Sequence, residues 1–127
     1  MSEPMFAIYF PYYDFERSAM CLKNAHLDTT RASLLSVARY ICGRSERLHH
    51  SYVAHLWARS PMMVHIYAYK LHLEMKRRGR IDPIWPIIDQ MYAESGPRDL
   101  DQPVMWDMVC MASHAALAKT DPQYYSV

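Results

Sequence analysis

Residues 60–79, SPMMVHIYAYKLHLEMKRRG, indicate the fold class most clearly. A serine followed by a proline is typical of a helix start, and a glycine after the last periodic residue is typical of a helix end. Lys76, Arg77 and Arg78 fall in the last turn, where positive charges interact favourably with the helix dipole. Apolar residues occupy more than one face of this segment, so we expect a central helix.

Similar start and stop signals predict four further helices, which gives an all-α class. The predicted helices cover residues 15–22, 28–42, 60–78, 83–95 and 103–119. The expected capping residues are Asp14, Asp28, Ser60 and Asp82, and the glycines expected at helix ends are Gly43, Gly79 and Gly96. Residues 5–13, MFAIYFPYY, are rich in aromatic side chains, but Pro11 limits a strand. We therefore expect an extended N-terminal arm that packs on the helices.

Composition sets limits on the class of protein. The chain has 127 residues, of which 51% are hydrophobic and only three are glycine, so we expect one helical domain over residues 1–127. The net charge of +1 is too small to indicate nucleic-acid binding by itself. Three cysteines without CxxC spacing predict neither disulfides nor a zinc site. No signal peptide or bilayer-length apolar run is present, so we expect a cytoplasmic protein without membrane contact.

Three separated motifs carry a family resemblance. The first is FPYYDF at residues 10–15, followed by SA at 18–19, HL at 26–27 and Arg31. The second is WAR at 57–59 with LEMKRRG at 73–79, and the third is SHAALAKTDPQYY at 113–125. In this order they resemble the small bacterial and phage proteins of the pyrimidine-dimer DNA glycosylase/endonuclease V-like family. Phage enzymes that couple amino acids to modified thymines are similar over the first two blocks.

The resemblance implies a compact helical glycosylase fold and glycosylase/lyase chemistry on a pyrimidine base in DNA. The nucleophile would be the N-terminal amine, which Ser2 would carry after removal of Met1. His26 would contact the sugar-phosphate, and Arg31 would grip a phosphate. Ser33 stands where the family's catalytic Glu is expected. A serine hydroxyl can neither stabilise a developing positive charge on the sugar nor act as a general acid of useful pKa.

The resemblance also implies a set of DNA contacts, with Arg59 on a phosphate and aromatic rings stacked on a base. These residues are Tyr12, Asn24, Trp57, Arg59, Arg77, Arg78, His114, Lys119 and Tyr124. Most arginines lie before Asp82 and acidic residues dominate after it, which favours a local basic face. The face would combine the second helix, the Trp57 segment and the end of the long helix.

Several alternatives stay open at this point. The polar face of the second helix, Thr29, Arg31, Ser33 and Arg39, is equally typical of a solvated surface. Trp57 is a typical core residue, and Glu74 with Arg78 is a typical helical ion pair, although Glu74 or Asp14 could also replace the absent acid. The histidines lack metal-ligand spacing, and no nucleotide or cofactor motif occurs, so we expect neither metal nor cofactor. A catalytically silent descendant that binds nucleic acid or protein, and a transferase acting on modified thymine, are the rival functions, and the oligomeric state stays open.

Overall fold

The structure is a computed structural model that describes residues 6–125. These residues form six α-helices and no β-strand, so the predicted all-α class is confirmed over this range. The helices are α1 (Phe15–Cys21), α2 (Asn24–Ile41), α3 (Tyr52–Ala58), α4 (Pro61–Arg77), α5 (Ile84–Glu94) and α6 (Trp106–Thr120). Residues 6–13 form neither helix nor strand and are termed the arm. The expected N-terminal arm is thus present over residues 6–13, while Met5 lies outside the described residues.

Several predicted helix ends are confirmed by hydrogen bonds. The Asp14 carboxylate accepts from the N–H of Arg17 at 2.9 Å and so caps α1. The Asp82 carboxylate accepts from the N–H of Ile84 at 2.9 Å at the start of α5. Gly79 follows α4 with φ of 70°, a left-handed conformation that suits glycine at the end of a helix. Local sequence signals therefore fix these boundaries.

The predicted start of α2 is wrong by one turn. The helix begins at Asn24, with Lys23 in the N-cap position, and Asp28 lies inside it. The Asp28 carboxylate accepts hydrogen bonds from Arg31 at 2.9 Å and Arg80 at 2.8 Å. It forms ion pairs with these guanidinium groups instead of capping the helix. The earlier start places His26 in the first turn of α2.

Two other predicted boundaries also differ. α3 was not expected as a separate helix, because seven residues are too few for an apolar period to be recognised. It begins where the Ser51 hydroxyl accepts from the N–H of Ala54 at 3.2 Å. α6 begins at Trp106, three residues after the expected Pro103. The Trp57 segment is therefore helical, and α6 is shorter at its start than its apolar pattern indicated.

Ser60 occupies the N-cap position of α4, but its side chain makes no capping hydrogen bond. The N–H of Met62, in the first turn, instead donates to the Asp101 carboxylate at 3.1 Å. Ser60 itself is buried. The expected capping role of Ser60 is therefore wrong, since a carboxylate from a distant loop supplies the acceptor.

α4 is central, as its apolar faces predicted, and it packs against α1, α2, α3 and α5. An aromatic cluster fills the core beside it. Trp57 and Tyr67 are fully buried and stacked, with ring centroids 5.7 Å apart. The Phe10 ring of the arm meets Trp57 edge-on at 5.4 Å, and Trp106 of α6 lies 4.8 Å from Trp57. Such rings bury large apolar areas, so this cluster holds arm, α3, α4 and α6 together.

No strand lies beside the arm in the part of the chain that the structure describes, and side chains of the helices bind its backbone. Ser33 of α2 accepts from the N–H of Ala7 at 3.0 Å, and Thr30 of α2 accepts from the N–H of Tyr9 at 3.2 Å. The Ser33 and Thr30 side chains are both buried. A buried peptide N–H left without an acceptor would cost free energy, so these hydroxyls make the arm's position favourable.

Further hydroxyl groups bind the arm to α4 and α6. The Ser113 hydroxyl of α6 accepts from the N–H of Phe10 at 2.7 Å and donates to the Ile8 carbonyl at 3.4 Å. The Tyr67 hydroxyl of α4 donates to the Tyr9 carbonyl. Among residues 6–125, no other helix packs closely along the backbone of α6. The arm therefore joins α6 to the remaining helices.

This arrangement predicts that Ser113→Ala strongly destabilises the fold. The substitution leaves the buried N–H of Phe10 without its acceptor, so we expect the free energy of unfolding to fall by about 1–3 kcal/mol. Ser36→Ala is the matched control, because Ser36 also lies in a helix but makes no hydrogen bond to the arm. Urea unfolding followed by circular dichroism measures both. Equal stability of the two variants would contradict the role given to Ser113.

Candidate nucleic-acid interface

Ser33, the position expected to carry the catalytic acid, lies beneath the arm. It is 3% exposed, so the expectation of an outer polar face of α2 is wrong at this residue. Its hydroxyl accepts from the N–H of Ala7. Ser2, the expected nucleophile, lies outside the described residues. The structure thus gives Ser33 a contact with the arm and leaves the role of Ser2 as a prediction.

Arg31, expected to grip a phosphate, is buried in an ion-pair network. Its guanidinium donates to Asp28 at 2.9 Å and to Asp82, and the Nδ1 atom of His72 lies 3.2 Å from Asp82. Burial raises the pKa of Asp82, but hydrogen bonds from Arg31 and from the N–H of Ile84 outweigh it, so this pKa lies below its ordinary value. The predicted phosphate contact is therefore corrected: Arg31 holds α2 to the start of α5.

Glu74 is also part of an ion-pair cluster. Its buried carboxylate accepts from Arg77 Nε at 2.9 Å and from Arg78 Nε at 2.6 Å. The hydrogen bond from Arg77 is the main cause of a lowered pKa of Glu74. Arg78 also donates to the Leu22 carbonyl at 2.7 Å and to Asn24 Oδ1 at 3.0 Å. Arg78 and Asn24 therefore join α4 to the end of α1 and the start of α2, while the Arg77 side chain stays 60% exposed.

Trp57 and Arg59 have different environments although they are two residues apart. Trp57 is fully buried in the aromatic core, which confirms the alternative that it is a core residue and corrects the expected stacking on a base. Arg59 is exposed and borders a cavity between the arm, α3 and α6. Its guanidinium has no hydrogen-bond or ion-pair partner among residues 6–125. Arg59 is therefore available to an anion, and Trp57 is not.

His26 forms a first cluster with the C-terminal segment that follows α6. Its Nδ1 atom lies 2.6 Å from the Tyr125 hydroxyl, and its ring meets Tyr9 edge-on at 5.2 Å. Lys23 pairs with Asp121, next to this contact. Burial lowers the pKa of His26, and the positive charge of Lys23 lowers it further. A neutral imidazole at pH 7 can accept or donate a hydrogen bond without carrying charge.

A second cluster surrounds Tyr12 of the arm. The His114 ring of α6 lies 5.7 Å from the Tyr12 ring, and the Arg17 guanidinium lies 3.8 Å from its centroid. Arg17 is exposed, so a cation and two rings meet at the surface. This combination suits a nucleotide, because bases stack on aromatic rings and phosphates attract guanidinium groups.

The two clusters lie along the second half of α6. His114 precedes Asp121 by seven residues, which is about 10 Å along a helix. Lys119 is exposed between them, and Lys23 Nζ lies 5.3 Å from the centroid of the exposed Tyr124 ring. The structure therefore places four expected residues in two neighbouring pairs: Tyr12 contacts His114, and His26 and Tyr124 both contact Tyr125. The surface termed the arm face consists of Tyr12, Arg17, Lys23, His26, His114 and Tyr124.

Neither the protein-family models, nor the curated proteins, nor the solved structures include a match to this chain. Within residues 6–125, no three histidine, cysteine or acidic side chains are grouped as a metal ion would require. No helix of the described part has both the length and the apolar character needed to cross a bilayer.

Three residues of the arm-face region were not among the expected site residues. Arg17 and Lys23 carry its exposed or half-exposed positive charge, and Tyr125 binds His26. Tyr125 lies in the DPQYY ending, which is part of the third motif of the family resemblance. Nothing in the local pattern distinguishes Arg17 or Lys23 from other basic residues, since their position beside aromatic rings arises only from the fold.

The lowered pKa of His26 predicts a stability change with pH. The unfolded chain takes up a proton near the ordinary histidine value of about 6.5, before the folded protein does. The free energy of unfolding should therefore fall as pH decreases from 7.5 to 5.5, and His26→Asn should reduce this dependence. Thermal unfolding at several pH values measures the effect.

His55→Asn is the matched control, because His55 is exposed on α3. This variant should keep the pH dependence of the unaltered protein. If His26→Asn and His55→Asn change the pH dependence equally, the environment assigned to His26 is incorrect.

Proposed function

We propose that this protein binds DNA at a pyrimidine base without cutting the strand. It would keep a glycosylase-like scaffold. Where the family has a catalytic amine and a catalytic acid, this chain would have only a hydrogen bond between the arm and Ser33. The contact that carries the proposal is the 3.0 Å hydrogen bond between the N–H of Ala7 and the Ser33 hydroxyl.

This contact occurs at the position where the resemblance expects chemistry. The family's nucleophile is an N-terminal amine, and its catalytic Glu corresponds to Ser33. In this chain a backbone nitrogen of the arm lies beside residue 33, but it belongs to a peptide bond. The lone pair of a peptide nitrogen is delocalised, so it cannot attack a sugar carbon as a free amine can. The peptide-bonded nitrogen of Ala7 and the serine at position 33 therefore support binding without cleavage.

The arm face supplies the contacts for binding. Arg17 provides an exposed positive charge, Lys23 is paired with Asp121, and the rings of Tyr12, His114 and Tyr124 provide stacking surfaces. Arg31 and Arg78 are bound by the protein itself, so fewer cations face solvent than the sequence indicates. We therefore expect modest, salt-dependent affinity, with the aromatic rings favouring an unstacked or damaged base.

DNA binding is tested by fluorescence anisotropy with ultraviolet-irradiated and untreated duplexes over a range of salt concentrations. Affinity should fall steeply with salt, and Arg17→Gln should reduce the salt slope by about one unit. Arg39→Gln is the matched control, because Arg39 is exposed on α2 about 20 Å along the helix from His26. Absence of binding at low salt would contradict the proposal, as would equal effects of the two variants.

Chemistry is tested separately by borohydride trapping on irradiated DNA. The unaltered protein should give no covalent adduct. A form that begins at Ala7 and carries Ser33→Glu places a free amine beside a carboxylate, so we expect adduct formation to rise by about 10²-fold over the Ser33 form of the same length. Circular dichroism checks that both forms fold.

A strong adduct with the unaltered protein would show that the active amine and acid lie elsewhere, and Glu74 and Asp14 would then be the first acids to substitute. DNA binding by all forms, without an adduct in any of them, would support a binding role and contradict the comparison of Ser33 with the family's Glu.

A further inference from the structure

A cavity of about 580 Å³ lies between the arm, α3 and α6. Its volume is within the range of small-molecule sites. The residues that shape its walls include Phe6, Ile8, Val53, Leu56, Met105 and Met108. No part of the proposed DNA contact is assigned to this cavity, so an inference about it goes beyond the proposed function.

The polar side chains on the described cavity wall are those of Tyr9, Ser51, Tyr52, Arg59 and Ser113, and both serine hydroxyls are already bonded. The Ser51 hydroxyl accepts from the N–H of Ala54, and the Ser113 hydroxyl binds the arm backbone. A nucleobase has several donors and acceptors, and burying them without partners would cost free energy. An alkyl chain has no such groups, so the wall suits an aliphatic ligand better than a base.

Arg59 is the one charged side chain among the described residues that line the cavity. Arg59 is exposed on its edge, and no described residue binds its guanidinium. A carboxylate placed there would form a charge-assisted hydrogen bond while the attached chain lies against the apolar wall. The cavity therefore favours a ligand with a negatively charged head group and an apolar chain.

The length of the cavity along α6 also suits a linear ligand. Its wall along α6 extends from Met105, directly before the helix, to Ala116, a distance of about 16 Å. Met105 and Met108 have flexible side chains that adapt to the ligand surface. We propose that this cavity binds a medium-chain fatty acid, with its carboxylate on Arg59 and its alkyl chain between the arm and α6.

The test is isothermal titration calorimetry of the full chain with dodecanoate, decanoate and dodecanol, each below its micelle concentration. Dodecanoate should bind with one site per chain, and shortening it by two methylene groups should weaken binding about tenfold. Arg59→Gln should weaken dodecanoate about tenfold and leave dodecanol unchanged.

Ala112→Trp fills the cavity from α6, whereas Ala115→Trp adds the same side chain on an exposed position of that helix outside the cavity lining. Dodecanoate binding should be lost in the first variant and kept in the second, with unchanged circular dichroism in both. No saturable binding, equal effects of the two tryptophans, equal affinity for dodecanol and dodecanoate, or tighter binding of thymidine monophosphate than of dodecanoate would each overturn the proposal.

Discussion

The arm's backbone must be hydrogen bonded without a β-sheet, and the rest of the fold depends on how this is achieved. Hydroxyl groups of Thr30, Ser33 and Ser113 accept from its N–H groups, and Tyr67 donates to one of its carbonyls. These side chains come from α2, α4 and α6, so a single extended segment aligns three helices. Buried hydroxyls on helices, which are often read as polar surface or catalytic groups, have here a structural cause.

The arm fixes the position of α6, and it thereby forms both candidate sites, the arm face and the apolar cavity. On one side, the arm brings Tyr12 against His114, while Tyr125 after α6 reaches His26 on α2. On the other side, arm and α6 enclose the apolar cavity with α3. A loss of the arm's hydrogen bonds would therefore disturb both surfaces, although their chemistry differs. One surface combines aromatic rings with exposed cations, and the other is mostly aliphatic.

Ion pairs inside the protein change how its charge should be interpreted. Arg31 and Arg78 lie in clusters with Asp82 and Glu74, whose ionised forms are favoured by these partners. Removing one member would leave the other charge poorly compensated in a buried position, which is strongly destabilising. Substitution of Arg31 would thus disturb the fold before it reported on DNA binding, whereas Arg17 is exposed and reports on the surface.

The sequence by itself determined the helical class, the central place of α4 and the N-terminal arm. It also determined the helix ends marked by Asp14, Asp82 and Gly79. These features depend on local backbone preferences and on apolar periodicity. It also grouped Tyr12, His26, His114 and Tyr124 as candidates through motif resemblance. Only the tertiary structure decided that Asp101 caps α4 and that Trp57 lies in the core. The same holds for Asp28 and Arg31, which join an ion-pair network, and for Ser33, which binds the arm. Each of these outcomes depends on partners distant in sequence, and a polar side chain's local pattern does not identify the group that will approach it in the fold.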